Sequence, residues 1–221
     1  MIRTVLFDLD GTILDTNELI FRSFEYVWER KGWPMISRET LTPYMGNKLH
    51  DMFRETAGMS GDEDVEELIG LYREYNWAHH DALVRGYPHV VEVMAELRGA
   101  GVRMGVVTTK IRKTSEMGLK LCGMDGFIEH IVSLDDVTHA KPHPEPVQKA
   151  LAAMGAAPEE TLMVGDSAGD LLAARAAGVR SAAVAWSIKS KEDLMRCEPD
   201  YWIEDIRELP AIVSRAKDEA R

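Results

Sequence analysis

The spacing of apolar residues changes character along this chain. Residues 2–7, IRTVLF, form a short branched and apolar run, the pattern of a strand buried within a parallel sheet. From Thr16 the period lengthens. In TNELIFRSFEYVWERKG, Leu19, Phe24, Val27 and Trp28 share a helical face, and Gly32 is a stop signal. NKLHDMFRETAG and DEDVEELIGLYREYNWAHHDAL have the same period, so the stretch to about residue 85 is expected to be helical, with no strand inside it. Beyond it, helices are predicted at about 88–100, 111–122, 146–155 and 170–178, and strands at 102–108, 130–134, 161–165 and 181–186. A short strand at 201–204 and a helix at about 206–217 complete the pattern.

Such alternation predicts an α/β fold, a parallel sheet with both faces covered by helices. The helical block, residues 16–85, then reads as an insertion after the first strand, leaving residues 1–15 and 86–221 to build the sheet. In sheets of this kind, ligands gather at the carboxyl ends of the strands.

The unusual side chains fall at those ends. VLFDLDGTILDT, residues 5–16, places Asp8 and Asp10 behind the first strand, where like charges must be solvated or paired. GVVT ends at Thr108, followed by Thr109 and Lys110; AKPHPEP sets Lys141 among turn-forming residues; TLMVG runs into GDSAGD, with Asp166 and Asp170. Taken singly, these are a turn dipeptide, a β-branched strand residue, a solvated lysine and a helix cap. Together they supply what phosphoryl transfer to a carboxylate requires. Asp8 would be the nucleophile, and Asp10 would protonate the leaving oxygen and then activate water. Mg²⁺ would be held by Asp8, Asp166 and the backbone carbonyl of Asp10. Thr108, Lys141 and backbone N–H groups of a helix starting near Thr109 would hold the phosphoryl oxygens.

Composition narrows the substrate. The 221 residues carry a formal net charge of −11, which repels phosphate backbones and anionic lipid. Neither nucleic acid nor membrane is an expected partner, and a small anionic substrate would need local cations or a metal. The two cysteines, Cys122 and Cys197, lack metal-site spacing and are read as reduced thiols. No apolar stretch reaches the ~18 residues of a membrane helix, and no signal-peptide pattern opens the chain. A soluble, cytoplasmic protein is expected.

The four segments DLDGT, the strand ending at Thr108, KPHPEP and GDSAGD, in that order over nearly the whole chain, resemble the motifs of the haloacid dehalogenase superfamily of hydrolases. The resemblance implies a Rossmann-like core, a helical cap inserted after the first motif, and a magnesium-dependent phosphatase. It implies Asp8 as nucleophile, Asp10 as acid/base, Thr108 and Lys141 as phosphate binders, Asp166 as metal ligand, and Asp170 as support for the metal shell or Lys141. The presence of Asp10 argues against the dehalogenase branch. VVTTK, EMGLKLCGM, LDDVTHAKPHPEPVQKAL and EETLMVGDS are similar to the bacterial inorganic pyrophosphatases of this superfamily. The neighbouring phosphoglycolate phosphatases typically carry Thr-Asn-Lys in place of TTK. Inorganic pyrophosphate is therefore the expected substrate. A phosphoglycolate phosphatase, a sugar-phosphate mutase and a non-enzymatic phospho-aspartate signalling module are alternatives in falling order.

For the second phosphate, the candidates are Thr109 and Lys110 in the core and Lys48 of GNKLHDMF in the cap. His79, His80, Arg22 and Arg54 read as ordinary surface or core side chains, and Met35, Met45, Met52 and Met59 as packing of the cap. No protein partner is predicted.

Overall fold

Thr4–Phe7 (β1) is buried at every position, as a strand must be when it has neighbours on both edges and cover on both faces. A computed structural model describes residues 1–59 and 61–215. After β1 come Leu14–Asp15 (β2) and four helices, Asn17–Lys31 (α1), Arg38–Leu41 (α2), Leu49–Ala57 (α3) and Asp62–Leu83 (α4). Arg85–Gly86 (β3) returns the chain to Val90–Gly99 (α5), Arg103–Val107 (β4), Arg112–Leu121 (α6) and His130–Val132 (β5). Glu145–Met154 (α7), Thr161–Gly165 (β6), Ala168–Ala176 (α8) and Arg180–Val184 (β7) follow. Lys191–Met195 (α9), Tyr201–Ile203 (β8) and Leu209–Arg215 (α10) come last.

The main sheet is parallel throughout, in the order β5-β4-β1-β6-β7-β8. Phe7 pairs with Val106 on one side and Val164 on the other, so the loops after β1, β4 and β6 leave the sheet side by side. Alternation along β1 feeds two cores. Val5 and Phe7 pack with Val93, Met94 and Leu97 of α5, whereas Leu6 packs with Val147, Ala150 and Met154 of α7. The fold is the expected Rossmann-like α/β sheet.

The helices α1–α4 bury a separate apolar cluster. Phe24 lies 4.6 Å from Phe53 and 5.4 Å from Tyr72, centroid to centroid. Gly32, at φ 67°, ends α1 in the left-handed conformation that glycine adopts without penalty. Met45 and Met52 are buried here and Met59 packs at the edge, but Met35 is 59% exposed and takes no part in the expected packing.

Three local expectations are corrected. The pair β2–β3, antiparallel with Leu14 opposite Gly86 and Asp15 opposite Arg85, has no counterpart in the sequence reading, because two-residue strands are too short to carry a period. The strand expected over 130–134 stops at Val132, where Ser133 and Asp136 form a capping box and the chain tightens into a single turn. The helix expected over 206–217 divides into a tight turn at Ile206–Glu208 and α10, and residues 216–217 lie outside the described residues. Among the described residues, no helix is long and apolar enough to cross a membrane.

Candidate active site

Asp8 follows β1 directly, and its N–H donates to Val164 O at 2.9 Å, which continues the ladder to β6 one residue beyond the strand. Its carboxylate points into a buried charge cluster. Lys141 Nζ donates to Asp8 Oδ1 at 2.6 Å, to Asp170 Oδ1 at 2.5 Å and to the Val107 carbonyl at 2.8 Å. Asp170 has both oxygens engaged, because its Oδ2 accepts the Ser167 N–H at 3.0 Å and the Ser167 hydroxyl at 2.6 Å. That capping box starts α8 and thereby fixes where Asp170 stands.

Burial, opposed by Lys141 and reinforced by Asp170, pushes the Asp8 carboxyl up to about 7. Burial and the charges of Asp8 and Asp170 likewise hold Asp166 well above the usual carboxylate range. For Lys141, burial alone would favour the neutral amine, but Asp170 and Asp8 outweigh it and keep the ammonium form. One lysine thus faces three buried carboxylates. Asp8, Asp166 and Asp170 offer oxygens within 4.8 Å of one another. Gly11 explains how Asp166 comes so close to the first turn: a Cβ at that position, where φ is +83°, would stand 2.4 Å from Asp166 Oδ2. An oxygen-only donor set with unneutralised negative charge fits a hard divalent cation.

Asp10 lies on the open side. Both of its oxygens accept from Lys110 Nζ, at 2.9 and 3.0 Å. Thr108, buried at the end of β4, accepts the Lys110 N–H on its hydroxyl at 3.1 Å. The helix expected near Thr109 is displaced along the chain, and two of the N–H groups near its start are already engaged. The helix begins only at Arg112, the Lys110 N–H is taken by Thr108, and the Arg112 N–H is taken by Asp135 at 2.7 Å.

Above these groups is a cavity of about 250 Å³ lined by both the sheet and the helical insertion. Asp8, Asp10, Thr108, Thr109 and Lys110 form its floor, and Lys48 reaches its wall from the N-terminus of α3. The Thr109 hydroxyl is committed elsewhere, donating to the Gly46 carbonyl at 3.0 Å. Lys141, Asp166 and Asp170 lie below, joined to the cavity through Asp8. Arg22 and Arg54 are engaged outside it, with Glu18 and Asp62. His80 is buried and paired with Asp81 at 2.8 Å, and His79 bonds the Tyr75 carbonyl, so neither joins the site.

The sequence reading missed Arg73, Asn76 and Trp77, which line the same cavity from α4. The signal was present: with Ile69 and Tyr72 they stand at positions i, i+3, i+4, i+7 and i+8 of one helical stripe.

The sequence profile of the haloacid dehalogenase-like hydrolases matches residues 5–184, which includes every one of the core acids and Lys141. This chain belongs to that hydrolase family. It is 47% identical over 212 residues to a protein named pyrophosphatase PpaX from Anoxybacillus flavithermus, covering 96% of this chain and 97% of the relative. A Bacillus mycoides protein of the same name is 46% identical over 97% of this chain and 98% of its own length. Among solved structures, a haloacid dehalogenase-like family hydrolase from Streptococcus pneumoniae superposes with a TM-score of 0.84 at 27% identity, over 96% of this chain and 98% of that one. A structure described as a predicted phosphoglycolate phosphatase from Haemophilus somnus shares the fold, with a TM-score of 0.83 at 24% identity over 96% and 97% of the two chains. This family member is therefore a phosphohydrolase-type enzyme.

Proposed function

We propose that this haloacid dehalogenase-like hydrolase splits inorganic pyrophosphate into two phosphates in the cytoplasm, with Asp8 as nucleophile and Mg²⁺ as its cation. The observation that carries this reading is the small cavity over Asp8, lined by the cations Lys48 and Arg73 from the helical insertion and by Lys110 in its floor. A diphosphate fits such a wall because it carries a second anionic group beyond the one attacked. Full-length kinship with proteins named pyrophosphatase supports the same choice. We take residues 1–15 and 86–221 as the catalytic core and 16–85 as the cap that recognises the second phosphate.

In this mechanism an Asp8 oxygen attacks phosphorus, the bridging P–O bond breaks, and Asp10 gives its proton to the departing phosphate. Water then attacks the aspartyl-phosphate, Asp10 takes the water's proton, and the bond from Asp8 to phosphorus breaks. Thr108 holds the transferring oxygens, and Lys141 joins it by exchanging its bond to Asp8 Oδ1 for one to the phosphoryl group. Lys110 holds both oxygens of Asp10, so a diphosphate that draws Lys110 toward its second phosphate would also free Asp10 for proton transfer. Asp8, Asp166 and the Asp10 carbonyl would hold Mg²⁺, which supplies charge neutralisation at the phosphoryl oxygens. Asp170, with both oxygens engaged, supports Lys141 rather than the cation.

The test is phosphate release, with Mg²⁺ present, from pyrophosphate, phosphoglycolate and glucose 1-phosphate at equal low concentration. A catalytic efficiency for pyrophosphate at least about tenfold above the others, ~1.4 kcal/mol of transition-state preference, is expected. If phosphoglycolate is preferred, the substrate assignment fails while the core chemistry stands. Asp8→Asn is expected to abolish turnover with an unchanged circular dichroism spectrum, and retained turnover would refute Asp8 as nucleophile.

A further inference from the structure

Residues Trp186–Lys189 follow β7 and take no part in the chemistry above, yet all four side chains are committed. Trp186 Nε1 donates to the Thr12 carbonyl at 3.1 Å, in the turn that carries Asp8 and Asp10, and its ring lies 5.9 Å from that of Tyr87. Ser187 Oγ donates to the backbone carbonyl of Asp166 at 2.7 Å and accepts the Lys189 N–H at 2.9 Å. These two residues hold the segment to the catalytic floor. The next two turn the other way. Ile188 packs into the apolar cluster of the helical insertion, whose other members among the described residues all fall within 20–72. Lys189 Nζ donates to the carbonyl of Thr42 in that insertion.

Thr42 opens the loop that brings Met45, Gly46, Asn47 and Lys48 to the cavity wall. The far end of the loop is gripped as well. Thr109 donates to the Gly46 carbonyl, and Ser167 lies 3.5 Å from where a Cβ on Gly46 would stand. Loops after β4, β6 and β7 therefore converge on one short piece of the insertion. The grip after β7 differs from the others because the same four residues also hold the loops bearing Asp10 and Asp166. It uses a costly group: burial pulls Lys189 below the ordinary lysine range despite the nearby charges of Asp166 and Asp193.

We propose that Trp186–Lys189 is a strap that sets the loop at 42–48 against the catalytic carboxylates, with Ile188 and Lys189 as positioning residues for Lys48 and the cavity wall. The role assigned to Lys48 rests on the proposed function, whereas the strap itself rests on the contacts alone. Loosening the strap should leave Asp8, Lys141 and Asp166 in place and slacken only the wall that meets the second phosphate. The effect belongs mainly to substrate binding rather than to the chemical step.

Ile188→Ala and Lys189→Met, each in the full chain, would be compared with the parent by amide hydrogen exchange and by steady-state hydrolysis of pyrophosphate with Mg²⁺. We expect exchange across residues 42–47 to rise at least about fivefold, with β1 and α5 unchanged, the mark of a local rather than global opening. KM should rise at least about threefold, with kcat changing less. Unchanged exchange at 42–47 overturns the strap, and so does faster exchange with unaltered KM. If Ile188→Ala raises exchange everywhere, it has damaged the fold, and Lys189→Met decides. If the parent protein fails to hydrolyse pyrophosphate, the substrate reading fails and the exchange measurements alone judge the strap.

Discussion

Lys141 is the side chain on which the charge balance of the site turns. Its ammonium bridges Asp8 and Asp170 with almost no exposure, while Asp166 adds a third carboxylate nearby. Removing one partner from a buried ionic cluster leaves charge that neither water nor protein compensates, at a cost of about 3–5 kcal/mol. Lys141→Met should lower unfolding free energy in urea by about that much at pH 8, and by less at pH 5. The sign follows from Asp8, whose carboxyl already stands near 7 against an ordinary 3.8 and rises further without the lysine. A native state that binds more protons than the unfolded chain loses stability as pH increases across that interval. A deficit equal at both pH values would show that Asp8 is not the strained partner. At this scale, the acids after β1 and β6 were legible because each is a charge where a buried strand has just ended, and Lys141 because it stands among turn-forming prolines. The bond between Lys110 and Asp10 was not, since it joins residues 100 positions apart. Arg73 was legible only to a helical-face count, which runs of polar residues in α4 obscure.

Among the elements, α1 and α2 show how a short helix is held by one side chain. Glu18 in the first turn of α1 accepts from Arg38 of α2 and Arg22 of its own helix, and these bonds hold its carboxyl down to about 2. The depressed value means that the stabilisation is complete above the ordinary 4.5 and is lost as pH falls toward 2. Glu18→Gln should therefore cost a modest amount at pH 7, under about 1 kcal/mol because the pair is solvent-screened. The difference from the parent should vanish near pH 2. Acid unfolding curves of the two proteins would check it, and a gap that persists at the acid end would refute the ion pair as the cause. α1, α3 and α4 were legible because each repeats its apolar face over several turns. α2, at four residues, has no such repeat and is formed by its neighbours and by the Ser37 cap, which accepts the Thr40 N–H at 3.1 Å.

For the molecule as a whole, the parallel direction of the strands followed from their alternation with helices, whereas their order in the sheet was not read. The placement of the helical insertion over Asp8 was not legible either, because it depends on contacts such as that of Ile188, which no period records. A cation that binds only the folded protein should stabilise it by mass action. Adding Mg²⁺ is expected to raise the thermal midpoint, a chelator to reverse the gain, and Asp166→Asn to abolish it. An equal rise in the Asp166→Asn protein would remove that carboxylate from the cation site.

The smallest sheet has a reach beyond its size. Because Leu14–Asp15 and Arg85–Gly86 lie side by side, the chain departs from the large sheet and comes back at almost the same point. To the sheet, everything between is a closed excursion that begins and ends at one place. If the function proposed above holds, a change made inside the excursion would alter what reaches Asp8 while β1, β4 and β6 keep their course.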